Sequence, residues 1–121
     1  MPAYDESYLD GMIAKIRYLF KLIGRNCSDP FSVIANYMKS DYRKYMDMGN
    51  PIYLNKTPKQ IMGELNISIQ NNHKISEKYD EFILEWMADI YVYMQWKYNL
   101  STAMIVGQTP PESLYQKYYP L

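Results

Sequence analysis

Cysteine and histidine are the scarcest reactive side chains in this 121-residue sequence, which contains one of each, Cys27 and His73. One cysteine cannot form an intrachain disulfide, and a zinc site needs about four ligands at a recognisable spacing. A cysteine–histidine nucleophile pair has no supporting signature, since both residues lie in predicted loops. Glycine-rich phosphate loops and Gly-x-Ser-x-Gly elbows are also missing. The sequence therefore predicts no catalytic residue, no metal and no cofactor.

The sequence also lacks an excess of charge of one sign and a long apolar run. Thirteen basic residues balance thirteen acidic ones, so no overall field attracts nucleic acid or an anionic membrane. No run reaches the roughly 18 apolar residues of a membrane-spanning helix. Residues 1–11 are acidic and polar, whereas a signal peptide begins basic and continues apolar. With the single cysteine, these absences predict a cytoplasmic protein without a membrane partner.

Apolar side chains are plentiful. They make up 48% of the sequence, and the length predicts one domain that spans residues 1–121. Fourteen tyrosines and nine methionines stand out. Tyrosine offers a large contact area at low entropic cost, and methionine adapts to irregular surfaces. Because both also fill cores, their abundance favours a binding protein without establishing one.

Residues 76–98 lie within the longest stretch without glycine or proline and contain both tryptophans. Apolar residues recur there at steps of three and four, which is typical of an amphipathic helix. We predict a central helix whose core face consists of Tyr79, Phe82, Ile83, Trp86, Met87, Ile90, Tyr93 and Met94. Glu81, Glu85 and Gln95 are expected to be solvated on the opposite side, and Ser76 is the expected N-cap.

Shorter helices are predicted on both sides of the central helix. The first runs from about residue 6 to residue 23, and Gly24 is expected to cap its C-terminus. Helix start signals, each a capping side chain alone or followed by proline, occur at Asp29-Pro30, Thr57-Pro58, Ser101 and Thr109-Pro110. The helix that begins at Asp29 extends to about Met48, with a potential break at Ser40-Asp41.

Two segments favour extended structure. Residues 51–55 follow the turn-forming pair Gly49-Asn50, and residues 66–70 alternate polar with β-branched side chains. They could pair as a minor β-ribbon, or residues 66–70 could extend the preceding helix. The overall expectation is an all-α, single-domain helical bundle of five or six helices around the central helix at about 76–98.

Several aromatic residues of the C-terminal half lie outside the predicted core face, and Val92 is predicted to point away from the core. Tyrosine and tryptophan dominate the energetics of protein interfaces. We therefore predict an interface formed by Tyr91, Trp96, Tyr98, Tyr115, Tyr118 and Tyr119.

Two ladders of like charge repeat at i, i+4 and i+8. The basic ladder consists of Arg17, Lys21 and Arg25. It indicates either contact with a phosphate backbone or a solvated flank of the first helix. The acidic ladder consists of Glu81, Glu85 and Asp89. Helical carboxylates bind metals in some bundles, but the usual Glu-x-x-His motif is missing, which favours a solvated acidic face.

The C-terminal half contains Tyr98-Asn99-Leu100-Ser101 and then Leu114-Tyr115-x-x-Tyr118-Tyr119-Pro120-Leu121. Residues 79–121, together with Tyr37-Met38-x-Ser40-Asp41-Tyr42 and Pro51-Ile52-Tyr53-Leu54, resemble a family of small uncharacterised bacterial helical proteins. Members of that family are found beside ADP-ribosyltransferase-like toxins. The resemblance implies a toxin–antitoxin or accessory role, and it assigns no functional residue.

The resulting functional expectation is a non-enzymatic cytoplasmic protein-interaction module, antitoxin-like or accessory to a toxin, whose partner is another protein. One alternative is a nucleic-acid-associated regulator that uses the basic ladder, although the balanced charge disfavours nucleic acid. Another alternative is a small-ligand binder with an aromatic pocket between helices. Homo-oligomerisation through the aromatic surface is compatible with all three.

Overall fold

The computed structural model describes residues 2–67 and 79–118, and all regular secondary structure in that part is helical. A short 3-10 helix, Glu6–Tyr8, precedes eight α-helices. They are α1 Leu9–Asn26, α2 Pro30–Met38, α3 Asp41–Asp47, α4 Pro51–Leu54, α5 Pro58–Glu64, α6 Glu81–Tyr98, α7 Thr102–Gln108 and α8 Pro111–Gln116. The predicted all-α fold is confirmed, with more and shorter helices than the five or six expected.

Capping side chains explain most of the helix starts. Asp29, Ser40 and Ser101 each accept a hydrogen bond from a backbone N–H in the first turn that follows. Thr57 and Gln60 form the complete capping box that their spacing predicts. Ser40 therefore divides the segment predicted as one helix from Asp29 to Met48 into α2 and α3.

The predicted β-ribbon is wrong. Residues 51–54 form α4 because Asn50 accepts a hydrogen bond from the N–H of Ile52 at 3.0 Å, and Pro51 occupies the first helical position. In the second segment, Asn66 has a left-handed backbone with φ 58°, which is incompatible with a regular strand. Residues 68–70 lie outside the described part of the chain.

The central helix begins later than predicted. Asp80 is the N-cap of α6, since its side chain accepts a hydrogen bond from the N–H of Phe82 at 2.9 Å. Tyr79 precedes the helix, and Ser76 lies outside the described residues. The C-terminal end agrees with the prediction, because Asn99 follows Tyr98 with a left-handed backbone at φ 51°.

Helices α1 and α6 pack against each other antiparallel and make the most extensive helix–helix contact of the described residues. Helix α1 continues to Asn26, so the prediction that Gly24 caps its C-terminus is wrong. Gly24 is instead buried inside α1, where an added Cβ would lie 2.6 Å from Cδ1 of Leu84. The absence of a side chain at Gly24 therefore allows the two helices to approach closely.

The face of α6 that enters the core differs from the predicted one. Its buried residues are Leu84, Met87, Ala88, Tyr91, Val92 and Gln95. Of the predicted face only Met87 is fully buried, while Phe82 is 62% exposed. Val92 and Gln95, predicted to point outward, are completely buried. The predicted core face is wrong because α6 is apolar on both sides, so the spacing of its apolar residues does not by itself select the side that meets α1.

A polar network is buried among α2, α3 and α7. The Arg43 guanidinium donates to Asp47 Oδ1 at 3.0 Å, to Thr102 Oγ1 at 3.1 Å and to the Tyr37 hydroxyl at 3.3 Å. Asp47 also accepts hydrogen bonds from the backbone N–H and the hydroxyl of Thr102, at 2.7 and 2.5 Å. From α6, the Gln95 amide donates to the Asp47 carbonyl at 3.4 Å.

Arg43 remains charged in this network although it is only 2% exposed. Burial by itself lowers the pKa of its guanidinium, but the interactions with Tyr37 and Asp47 outweigh burial and raise that pKa above its ordinary value. A buried charge of this kind is tolerated only while its partners are present. The network therefore joins three short helices that have little stability on their own.

We expect Gly24→Ala to lower the free energy of unfolding by on the order of 1 kcal/mol. Overpacking against Leu84 typically costs about 1–3 kcal/mol, which outweighs the higher helix propensity of alanine. Gly11 provides the matched control, because it lies in the same helix with no atom within 4 Å of an added Cβ. Gly11→Ala should raise stability by about 0.5–1 kcal/mol. Urea unfolding of both variants measures the difference, and equal effects would contradict the close approach at Gly24.

We expect Asp47→Ala to destabilise the protein by about 3–5 kcal/mol, because it leaves the Arg43 charge buried without a carboxylate. The control is the double variant Arg43→Met/Asp47→Leu, which removes both charges and should cost less than Asp47→Ala alone. Chemical denaturation provides both values. A cost of only about 1 kcal/mol for Asp47→Ala, as for an ordinary neutral hydrogen bond, would contradict this role.

Candidate interaction surface

An apolar stripe runs along the side of α6 that faces away from α1. We call it the outer α6 surface, and it consists of Phe82, Trp86, Ile90, Tyr93 and Met94. Steps of three and four residues place these side chains on one side of the helix. Phe82 is 62% exposed, Tyr93 42% and Met94 38%, whereas Trp86 and Ile90 are half-buried between them. The stripe covers twelve residue steps, or about 18 Å of helix.

A shallow groove of about 330 Å³ lies within this surface, lined by Trp86, Asp89, Ile90, Tyr93 and Met94. Asp89 is its only charged lining residue, and that carboxylate is paired with Arg17. The groove is therefore apolar and carries no unpaired charge.

Tyr118, just after α8, lies against one end of the outer α6 surface. Its ring makes edge-to-face contacts with Phe82 at 5.8 Å and with Trp86 at 5.2 Å between ring centroids. At the other end, the Lys97 ammonium lies 5.6 Å from the centre of the Tyr93 ring. Tyr118 thus adjoins the aromatic surface, and its role in an interface stays a prediction.

Tyr91 does not belong to an exposed interface, and that prediction is wrong. Its side chain is 2% exposed, and its hydroxyl donates to the Thr109 carbonyl at 2.7 Å. Its ring also makes an edge-to-face contact with Phe20. Burial raises the pKa of its hydroxyl. Tyr91 is a core residue because it lies on the face of α6 that meets α1.

The other predicted interface residues have different surroundings. Trp96 is half-buried and holds the N-terminal segment, because its indole N–H donates to the Tyr4 carbonyl at 2.8 Å and its carbonyl accepts from the Ala3 N–H at 2.9 Å. Tyr115 closes an aromatic cluster with Phe31 and Tyr79, and its hydroxyl accepts from the Asp80 N–H. Both therefore have structural contacts within the chain.

Tyr98 is 54% exposed and is available to a partner. Tyr119 lies outside the described residues. Of the predicted residues that the structure describes, Tyr118 contacts the outer α6 surface at Phe82 and Trp86, and Trp96 contacts it at the Tyr93 ring, 6.0 Å away between centroids.

Sequence reasoning missed the outer α6 surface because its residues were assigned to the core. One signal could have identified it. The acidic ladder of Glu81, Glu85 and Asp89 has the same spacing as the basic ladder on α1. If the two ladders pair, the side of α6 next to the acidic ladder, which includes Leu84 and Val92, must face α1.

The two ladders form three interhelical ion pairs. Arg17 pairs with Asp89 at 2.5 Å, Lys21 with Glu85 at 3.0 Å and Arg25 with Glu81 at 2.5 Å. The hydrogen bonds that Arg17 donates to Asp89 and Arg25 donates to Glu81 raise the pKa of both guanidinium groups. Each charge in the ladders therefore has a partner of opposite sign, while the side chains stay partly solvated at 26–46% exposure. The phosphate contact of the basic ladder stays a prediction.

A second cavity, of about 270 Å³, lies near the junction of α2, α3 and α7. Its lining mixes charges of both signs with two hydroxyls, from Lys39, Ser40, Asp41, Lys44, Asp47 and Ser101. Asp47 is committed to Arg43 and Thr102, so its carboxylate is not free for a ligand.

In the part of the chain that the structure describes, no group of three or more histidine, cysteine, aspartate or glutamate side chains could hold a metal ion. Within residues 2–67 and 79–118, no helix combines the length and apolar character needed to cross a membrane. Comparisons with family models, with curated proteins and with solved structures return no match for this chain.

The pairing of Arg25 with Glu81 predicts a pH dependence. The hydrogen bond from Arg25 lowers the pKa of Glu81 below its ordinary value of 4.5 in the folded protein. The pair therefore stabilises the fold above about pH 4.5, and this contribution is lost as the pH falls through the lowered pKa. Because both side chains are more than a third exposed, the contribution is at most about 1 kcal/mol.

We expect Arg25→Gln to return the pKa of Glu81 towards 4.5, measured by carboxyl-carbon NMR titration. Lys97→Gln serves as the control, because that ammonium lies over the Tyr93 ring and should leave the pKa of Glu81 unchanged. An unchanged pKa of Glu81 in Arg25→Gln would mean that the ion pair does not form in solution.

Proposed function

We propose that this chain is a non-enzymatic protein-interaction module that binds its partner through the outer α6 surface. The carrying observation is that α6 is apolar on both sides: one side forms the core against α1, while the other exposes Phe82, Tyr93 and Met94. A contiguous apolar patch of this kind on a folded chain marks an interaction site more often than a chance arrangement does.

The chemistry of the stripe supports a protein partner. Tryptophan and tyrosine supply most hot-spot energy in protein interfaces, and methionine adapts its shape to the partner. Anchors at steps of three and four are the pattern by which a helix is recognised in an apolar groove. Trp86, Tyr93 and Met94 provide such anchors within three turns of one helix.

The two alternatives have less support. Nucleic acid needs a basic surface, but Arg17 and Arg25 are paired with carboxylates and the chain has no net charge. A small-ligand site needs an enclosed pocket with convergent polar groups. The groove on α6 is shallow, and the one carboxylate in it, Asp89, is bound to Arg17.

Among partners other than this chain itself, the resemblance to toxin-associated helical proteins makes a toxin the first class to test. The single cysteine is consistent with action in the reducing cytoplasm, where such a partner would be met. This identification of the partner depends on the resemblance alone, whereas the surface itself depends on the exposure of α6.

A photo-crosslinking experiment tests the proposal. A benzophenone amino acid placed at Tyr93 should capture a protein partner in the native cell, whereas the same amino acid at Met104 should not. Met104 is a suitable control because it is 52% exposed and lies on α7, outside the groove. Equal capture at both positions would contradict the assigned surface.

The captured partner should then be purified and its affinity measured for two variants. We expect Tyr93→Ser to weaken binding by about tenfold or more, since a hot-spot aromatic contributes above 1 kcal/mol, with Met104→Ser unchanged. Far-UV circular dichroism should show that both variants remain folded, because neither side chain is part of the core.

A further inference from the structure

We propose that the partner of the outer α6 surface is a second copy of this chain, which forms a reversible two-fold dimer through antiparallel contact of α6 with α6. The inference rests on the proposed function, because it assigns an occupant to the same surface. The charge and the shape of the surface support it, and the size of the surface sets the expected strength.

Charge is the first argument. A two-fold interface brings the same patch of both copies together, so any unpaired charge in it would meet its own sign or lose its solvation. The outer α6 surface largely avoids this problem, since Asp89 at its edge is neutralised by Arg17 and Glu85 by Lys21, and the Lys97 ammonium lies only at its end, over the Tyr93 ring. The whole chain also carries equal numbers of basic and acidic residues, and a net charge near zero favours self-association.

Shape is the second argument. The surface combines an exposed side chain, Phe82, with a groove lined by Trp86, Ile90, Tyr93 and Met94. In an antiparallel pair centred on Trp86, the position four residues before the centre faces the position four residues after it. Each Phe82 then lies opposite Ile90 of the other copy and enters its groove. The surface is therefore self-complementary, as a two-fold contact requires.

Size determines the expected strength. The stripe is about 18 Å long, so an α6–α6 contact buries less than the roughly 800 Å² per partner of a standard stable interface. We therefore infer a dimer that dissociates on dilution. A weak contact is also consistent with the position of Tyr118, which already covers part of the surface at Phe82 and Trp86.

Sedimentation velocity of the purified chain tests the inference between about 1 μM and about 500 μM, a range that spans weak specific dimers. The mass should rise with concentration from 14.4 kDa towards twice that value. Tyr93→Asp should raise the dissociation constant by about tenfold or more, whereas Met104→Asp should leave it unchanged. A monomer throughout the range, or association that persists in Tyr93→Asp, would overturn the dimer.

Cysteine crosslinking tests the antiparallel arrangement in a Cys27→Ser background. A Phe82→Cys copy mixed with an Ile90→Cys copy should form a disulfide-linked dimer, since the two positions face each other across the interface. Phe82→Cys alone should not, because its two copies lie about eight residues, or about 12 Å, apart along the helix axis. Crosslinking of Phe82→Cys with itself and not with Ile90→Cys would overturn this register.

The outcomes separate the dimer from the proposed function. A monomeric chain that captures a different protein at Tyr93 refutes the dimer and leaves the interaction module intact. A concentration-dependent dimer that Tyr93→Asp weakens supports both. A monomeric chain that captures nothing at Tyr93 refutes both.

Discussion

The antiparallel contact between α1 and α6 is the constraint on which the rest of this structure depends. Gly24 lets the two helix backbones come close enough for Leu84 to fill the space that a side chain would occupy. Three ion pairs lie along one edge of the contact. From one pair to the next, the residue number rises by four on α1 and falls by four on α6, so the pairs fix the antiparallel register of the two helices. Apolar burial supplies the stabilisation, and the exposed ion pairs supply mainly the alignment.

Three of the remaining helices are joined to this pair by specific polar contacts. Helices α2, α3 and α7 have between seven and nine residues each, too few for isolated helices to be stable in water. Tyr37, Arg43, Asp47 and Thr102 connect them through buried hydrogen bonds, and Gln95 links the same network to α6. Trp96 then holds the N-terminal segment at Tyr4. A change in this network therefore affects several elements together.

The α1–α6 contact also determines which apolar side chains of α6 are exposed to solvent. Once Leu84, Ala88 and Tyr91 face α1, the side chains of Phe82, Tyr93 and Met94 on the other side of α6 remain exposed, and Trp86 and Ile90 between them are half-buried. The same contact pairs the basic ladder of α1 with the acidic ladder of α6. Fold and proposed function thus share one cause: the choice of which apolar side of α6 is buried.

Local signals in the sequence account for much of the fold. The capping residues Thr57 and Ser101 and the left-handed residue Asn99 act within one helical turn, so their effects were predictable without tertiary information. The same holds for the division of α2 from α3 at Ser40. The apolar side chains of residues 51–54 fit a strand as well as a helix, and the Asn50 cap together with Pro51 at the first helical position favours the helix.

What the sequence by itself determined is the all-α class, the start of most helices and the presence of a long aromatic helix near residue 90. Only the tertiary structure decided which side of that helix is buried, because both sides are apolar and helical periodicity is the same for each. It likewise placed Tyr91 in the core and Tyr93 at the surface, and it joined two charge ladders that are more than fifty residues apart. The physical reason is that close packing and ion pairing act between elements distant in sequence, while caps and propensities act within a turn.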